Sequence, residues 1–264
     1  MKKTRLPALT AVFLLSGGGL AFPAASEWTR VEGAAVRVVL SANPDERGRL
    51  RGALQVDLEP GWKTYWRDPG DAGVPPSVTA SARGEPGTVE IGFPPPGRHD
   101  DGYASWAGYD QPVALALTIT APQDAGPMEF AVFLGVCETI CIPVQATFAL
   151  ERDRSGANAD HESIVEKAFG ALPETARPGF RILDAALSGD SIVVEAELPD
   201  GAAADLFLAS TENRMFGMAE PDNRDRRTMF RVPVLSTAAD TAEEVSYTLV
   251  SGQGAVSGTI TIGE

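Results

Sequence analysis

Between Met128 and Leu150 every second residue is apolar, on both sides of the tripeptide Glu138-Thr139-Ile140. Two alternating runs of this length, joined by so short a connection, demand a β-hairpin with one face in a core. Centred on Thr139, the hairpin sets Val136 opposite Ile142, Leu134 opposite Val144, Val132 opposite Ala146, Phe130 opposite Phe148 and Met128 opposite Leu150. One side of the ribbon is then wholly apolar, as a buried face requires. The same register sets Cys137 opposite Cys141 on the other side, beside Gly135/Pro143 and Phe133/Gln145. Directly opposed residues bring their Cβ atoms to roughly 4.5–5.5 Å, and a disulfide prefers about 3.5–4.5 Å. A small local adjustment closes that gap, so the pair is disulfide-competent at a hairpin tip, off the core face.

Period-two alternation recurs elsewhere. It runs through Leu54, Val56 and Leu58 before a Pro60-Gly61 turn, and through Val113, Leu115, Leu117 and Ile119. A later half repeats it at Ile192, Val194, Ala196 and Leu198, and at Val245, Tyr247 and Leu249. The segment from Val256 to Ile262 follows the turn signal Ser251-Gly252-Gln253-Gly254, which predicts a closing hairpin. Short strands between frequent Gly and Pro turns predict an all-β protein of two β-sandwiches. One segment departs from this: Asp160 to Leu172 places Ile164, Val165, Ala168 and Phe169 at helical spacing, with Pro173 after it. The expected organisation is a first sandwich over 27–152, a linker with a short helix over 153–177, and a second sandwich over 178–264.

The N-terminus bears on the compartment. Lys2, Lys3 and Arg5 precede an apolar stretch from Leu6 to Phe22 and a small-residue exit, Pro23-Ala24-Ala25-Ser26. This is the order of a cleavable secretory leader, expected over residues 1–26. Gly17-Gly18-Gly19 and Pro7 interrupt the run, which disfavours a stable membrane-spanning helix. Lys and Arg number 22 against 36 Asp and Glu, a net charge of −14 that becomes −17 once the leader's three cations are removed. So acidic a chain lacks the basic footprint of a nucleic-acid binder. Export places the two thiols where oxidants are available.

A bridge closing so small a ring contributes about 2 kcal/mol by loop entropy, at the low end for disulfides. A structural staple does better when it ties distant segments together, whereas exposed or strained bridges are the labile ones. Spacing alone leaves both readings open. The separation is C-x3-C, not the C-x-x-C of thioredoxin-like motifs, and no βαβ pattern surrounds it. Two thiolates with the Met215/Met218 pair would suit Cu(I), though methionines at such spacing commonly fill cores. No resident metal or cofactor is expected. No G-x-S-x-G elbow accompanies His99 or His161, so a serine hydrolase is disfavoured.

Two segments stand out in composition. The stretch from Gly61 to Pro76 crowds Trp62, Tyr65 and Trp66 against turn residues. Trp62 reads as core, while Tyr65 to Arg67 offers an aromatic contact surface for another protein. The second is the polar loop Arg98-His99-Asp100-Asp101-Gly102-Tyr103-Ala104-Ser105-Trp106.

The run GWKTYWRDPGDAGVPP followed by the hairpin CETICIP resembles the N-terminal periplasmic domain of the DsbD-type thiol:disulfide interchange proteins. It looks most like the bacterial branch with C-x3-C spacing, over roughly residues 35–150. The second sandwich resembles the additional domain of longer members. The resemblance implies an immunoglobulin-like sandwich in the periplasm whose cysteine pair shuttles electrons. A membrane or thioredoxin-like donor supplies them, and periplasmic disulfide-containing proteins receive them. The family's second cysteine forms the mixed disulfides, which maps to Cys141, with Cys137 resolving. Its aromatic cap loop, preceded by acidic residues, maps to Asp100-Asp101-Gly102-Tyr103, making Tyr103 the cap candidate. The chain ends at Glu264 without the membrane and thioredoxin-like domains, so a separate reductant is expected. Glu138 and the acidic field disfavour a thiolate, which predicts a sluggish thiol activated by docking.

Overall fold

The computed structural model describes residues 24–70, 73–100, 102, 105–121, 126–152, 158–199, 203–210, 214–222, 228–236 and 243–262. Most of the leader expected over 1–26 lies outside the described residues. The first eleven strands are β1 (Thr29–Val31), β2 (Ala34–Leu40), β3 (Leu50–Leu58), β4 (Lys63–Tyr65), β5 (Ser77–Ala82), β6 (Glu85–Gly92), β7 (Gly97–Asp100), β8 (Ser105–Tyr109), β9 (Val113–Thr120), β10 (Met128–Cys137) and β11 (Cys141–Leu150). They form an antiparallel, immunoglobulin-like sandwich. Strands β1, β2, β3, β9 and β6 are neighbours in that order. Because β6 pairs with both β9 and β5, the chain of pairing continues through β5, β10, β4, β8 and β7. On one edge of β10 lie β5 and β4; β11 takes the other.

Alternation explains the core. Leu54, Val56 and Leu58 point inward from β3, and Leu115, Leu117 and Ile119 from β9; they meet Phe130, Leu134 and Leu150 of the β10–β11 ribbon. Each is at most 6% exposed. Yet Ala53, Ala116 and Val39, on the opposite face, are buried as well. The cause is helix α1 (Ala159–Gly170), which lays Val165 and Ala168 on them. Asn158 caps this helix by accepting from the Asp160 and His161 amides at 2.9 and 3.3 Å. Glu162 ties its first turn to the sandwich, accepting from Ser41 Oγ and the Ala42 amide, each at 2.6 Å. The segment read as a linker helix is therefore packed against the first sandwich.

The remaining strands are β12 (Glu174–Thr175), β13 (Arg181–Ser188), β14 (Ser191–Glu197), β15 (Ala204–Ser210), β16 (Glu220–Asp222), β17 (Thr228–Pro233), β18 (Glu243–Ser251) and β19 (Gly254–Ile262). They build two four-stranded sheets, β12-β19-β18-β15 and β13-β14-β17-β16. The closing hairpin turns as its sequence implies, with Ser251 opposite Gly254. Between the sheets lie Ile192, Val194, Phe230, Tyr247, Leu249 and Val256.

Strand β15 serves two cores. Leu206 and Leu208 face the second one, and the intervening Phe207 and Ala209 face the first. Phe207 meets Trp66 edge to face at 5.8 Å. Beside them Arg98 of β7 hydrogen-bonds the Ala219 carbonyl and lies 3.3 Å from Asp205.

Candidate functional site: the hairpin disulfide and its aromatic cover

Cys137 and Cys141 form a disulfide, with Cα atoms 4.1 Å apart. The hairpin that carries them has the register centred on Thr139, pair for pair from Met128↔Leu150 to Cys137↔Cys141. The two sulfurs are not equivalent. Cys141 is exposed at the tip beside Ile140, which is 72% exposed, whereas Cys137 is 1% exposed. The hairpin tip thus presents the sulfur of Cys141 alone. The reason is a neighbour that hairpin register cannot reveal: β4 lies along β10 on the edge away from β11, setting Lys63 opposite Cys137.

Tyr65, two residues along β4, closes over the sulfurs. Its hydroxyl lies 3.0 Å from Cys137 Sγ and 3.4 Å from Cys141 Sγ, within hydrogen-bonding reach of both. The ring lies against glycine at two positions, and only Gly73 leaves no room for a side chain beside it. A Cβ on Gly135 would stand 3.5 Å from Tyr65 Cε2, and one on Gly73 only 2.7 Å from the ring. Gly73 also has φ +145°, where side chains are disfavoured. Trp106 of β8 packs edge-on against Tyr65 at 5.8 Å and 79°, and with Tyr65 and Cys137 forms a small buried cluster. His99 of β7 stacks on Trp106 at 4.0 Å, and the Lys63 ammonium lies 4.7 Å from the centre of the same indole. A disulfide is thus held between an aqueous side at Cys141 and a layered aromatic cover at Cys137.

The other site candidates sort as follows. Asp100 is exposed and closes the β7–β8 turn, its carboxylate accepting from the Gly102 amide at 2.7 Å and Ser105 Oγ at 2.6 Å. Asp101 and Tyr103, the remaining cap candidates, lie outside the described residues. The contact surface expected at Tyr65 and Trp66 requires a correction: Tyr65 is 4% exposed, and Trp66 is 1% exposed and packed on Phe207, so neither presents a surface to an outside partner. Trp62 is core, as read. Met218 packs against the first core while Met215 is 45% exposed. Among the described residues no cluster of three or more His, Cys, Asp or Glu side chains could hold a metal ion.

Just behind the site Arg67 lies among Trp66, Phe93 and Tyr109, within 5.1 and 5.2 Å of the first two rings. Burial lowers its pKa, and burial raises the Tyr109 phenol far above its ordinary range despite that neighbouring charge. Burial likewise pushes the Asp68 carboxyl up to about 6, partly opposed by the Gly70 amide it accepts from at 3.2 Å.

Lys63 is a neighbour of the pair that sequence reading did not single out, and His99 and Trp106, inside the polar loop it did note, were given no role there. Their sequence signal is faint: they converge only because β4 and β8 pair next to the hairpin.

Residues 32–152 match the family model described as thiol:disulfide interchange protein DsbD, N-terminal. Among solved structures, the N-terminal periplasmic domain of ScsB from Proteus mirabilis superposes with a TM-score of 0.75 at 21% identity, covering 92% of this chain and 99% of that one. This likeness shows the fold, across both sandwiches. Tandem immunoglobulin domains of titin (A164-A165) align over 81% of this chain and 87% of theirs at 12% identity, with a TM-score of 0.20. No curated protein matches the chain significantly. Over residues 32–152, the cysteine hairpin included, the chain carries a domain of the DsbD N-terminal family of thiol:disulfide interchange proteins.

Proposed function

We propose that this protein is a periplasmic thiol:disulfide interchange protein that passes reducing equivalents to partner proteins through Cys137 and Cys141. The observation that carries the reading is the asymmetry of the pair: one sulfur is exposed and the other buried beneath Tyr65. In the reduced protein the Cys141 thiolate attacks a partner disulfide, forming a mixed disulfide and releasing one partner thiolate. The Cys137 thiolate then attacks Cys141 Sγ, which re-forms the intramolecular bond and releases the second partner thiolate. Two electrons pass to the partner, and its two sulfurs take up the protons. The Tyr65 hydroxyl, in reach of both sulfurs, can donate a hydrogen bond to whichever carries charge.

A thioredoxin-like domain or membrane conduit is the proposed electron source, and periplasmic disulfide-containing proteins the recipients. The leader expected from the sequence over 1–26 supports the location; among the described residues no helix is long and apolar enough to cross a membrane. We take 27–152 as the exchange unit, 153–177 as its connection, and 178–264 as a second sandwich.

Two measurements test this. A Cys137→Ala variant should trap partners as mixed disulfides through Cys141; trapping only by Cys141→Ala, through Cys137, would reverse the roles. The reduction potential of the pair should lie above about −300 mV, since structural bridges fall below that value. A lower one would mark a binding module with a structural bridge.

A further inference from the structure

Lys63 stands directly opposite Cys137 in the β4–β10 pair. Opposed residues in an antiparallel pair project from the same face, with Cβ atoms about 4.5–5.5 Å apart. The ammonium does not hang in solvent. Lys63 is half-buried, and its Nζ is held 4.7 Å from the centre of the Trp106 ring. Trp106 is itself 5% exposed, stacked on His99 and edge-on to Tyr65, whose hydroxyl touches both sulfurs. One cation is thus built into the same aromatic cover that closes over the disulfide.

A disulfide is neutral; reduction is what creates a negative sulfur beside this charge. The surroundings otherwise oppose that charge, because Cys137 is 1% exposed and burial disfavours a thiolate. Tyr65 on β4 reaches both sulfurs; around them stand Glu138, next to Cys137 in the hairpin turn, His99 of β7, stacked on the far side of Trp106, and Asp100 of β7, bonded to the Gly102 amide and Ser105 Oγ. Asp110, following β8, lies 4.0 Å from His99 Nδ1. Glu138 turns toward the β3–β4 connection, its Oε1 3.7 Å from where a Gly61 Cβ would be. Lys63 is the cation whose backbone is in register with a sulfur.

Resting on the exchange reading above, we propose that Lys63 is an electrostatic positioning residue: it favours the thiolate of the reduced Cys137–Cys141 pair and so sets the pH at which the pair becomes nucleophilic. An opposite charge within about 4–6 Å of an acidic group lowers its pKa by about 1–3 units, and the half-buried position of Lys63 puts the expected effect near one unit.

The test is the rate of iodoacetamide alkylation of the chemically reduced full-length protein between pH 5 and 10. For Lys63→Met the profile should move up by about one pH unit. At pH 7 the rate should fall about three- to tenfold, the lower figure applying because a more basic thiolate is also a better nucleophile. Lys63→Arg should restore the wild-type profile, and Glu138→Gln should move it down. A merely packing role for the lysine stem predicts lower melting temperatures but unshifted profiles. Coincident profiles for wild type and Lys63→Met overturn the proposal, as does an arginine variant shifted like methionine. If Lys63→Met does not fold, Lys63→Gln is read in its place by the same criteria. The reading on which this rests fails separately: a reduction potential below about −300 mV would remove the exchange function whatever the alkylation profile shows.

Discussion

The Tyr65 hydroxyl sits 3.0 Å from Sγ of Cys137 and 3.4 Å from Sγ of Cys141. That contact joins the most legible element of the sequence, the cysteine hairpin, to a residue 72 positions away. It also makes the two sulfurs chemically different.

Tyr65→Phe keeps the ring among Gly135, Gly73 and Trp106 and removes only the hydroxyl. Stability should fall by no more than about 0.5–1.5 kcal/mol, the net worth of one hydrogen bond. The alkylation profile of the reduced pair should move to higher pH. Tyr65→Ala should cost about 3–5 kcal/mol and open Cys137 to bulky thiol reagents. Urea titration and mass spectrometry after labelling read both effects, and a Cys137 that stays unlabelled in Tyr65→Ala would contradict the covering role.

Gly108 of β8 has no room for a side chain: a Cβ there would lie 2.2 Å from the Thr64 carbonyl oxygen. Gly108→Ala must push β8 off β4, which costs more than about 2 kcal/mol and displaces the Tyr65–Trp106 pair. At Gly135 the nearest atom would be Val74 Cβ at 3.3 Å, so Gly135→Ala should be milder, below about 1.5 kcal/mol. Equal losses in thermal unfolding would show that the two approaches are not distinguished by backbone contact.

Asp68 makes stability depend on pH in an unusual direction. Its carboxyl is raised to about 6 by burial, against about 3.9 in an unfolded chain. The folded state therefore holds the proton more tightly, and this contribution, full below about pH 4, is lost as pH rises through about 6. Asp68→Asn cannot ionise and retains an acceptor for the Gly70 amide. It should match the wild type at pH 4 and melt higher at pH 7. A difference in melting temperature that fails to grow over that interval would count against it.

Arg98 links the β7–β8 hairpin to the second sandwich. Arg98→Ala should lose about 1–3 kcal/mol, chiefly through the charge-assisted bond to the Ala219 carbonyl. Asp205→Ala should lose less than about 1 kcal/mol, since the Asp205 side chain is 50% exposed. Amide exchange of β7 should accelerate in the first variant. Equal losses in the two would assign the link to the ion pair instead.

Legibility in the sequence followed the range of the interactions. The β10–β11 register was readable to the residue because period-two burial and a three-residue connection leave one solution. The disulfide followed from that register. The strands around Leu54 and Leu115 and the closing hairpin were readable for the same local reason. Trp66 misled, since an aromatic in a turn-rich segment looks like a surface anchor until Phe207 of the second sandwich is seen to cover it. By itself, then, the sequence determined that two cysteines oppose each other at a hairpin tip in an acidic β-protein. Only the tertiary structure decided that Cys137 is buried and Cys141 exposed. It alone placed Lys63 opposite Cys137 and Tyr65 over both sulfurs. Those outcomes depend on β4 pairing with β10 across more than 70 positions. No local pattern encodes such a pairing; it is settled by which packing buries the most apolar surface.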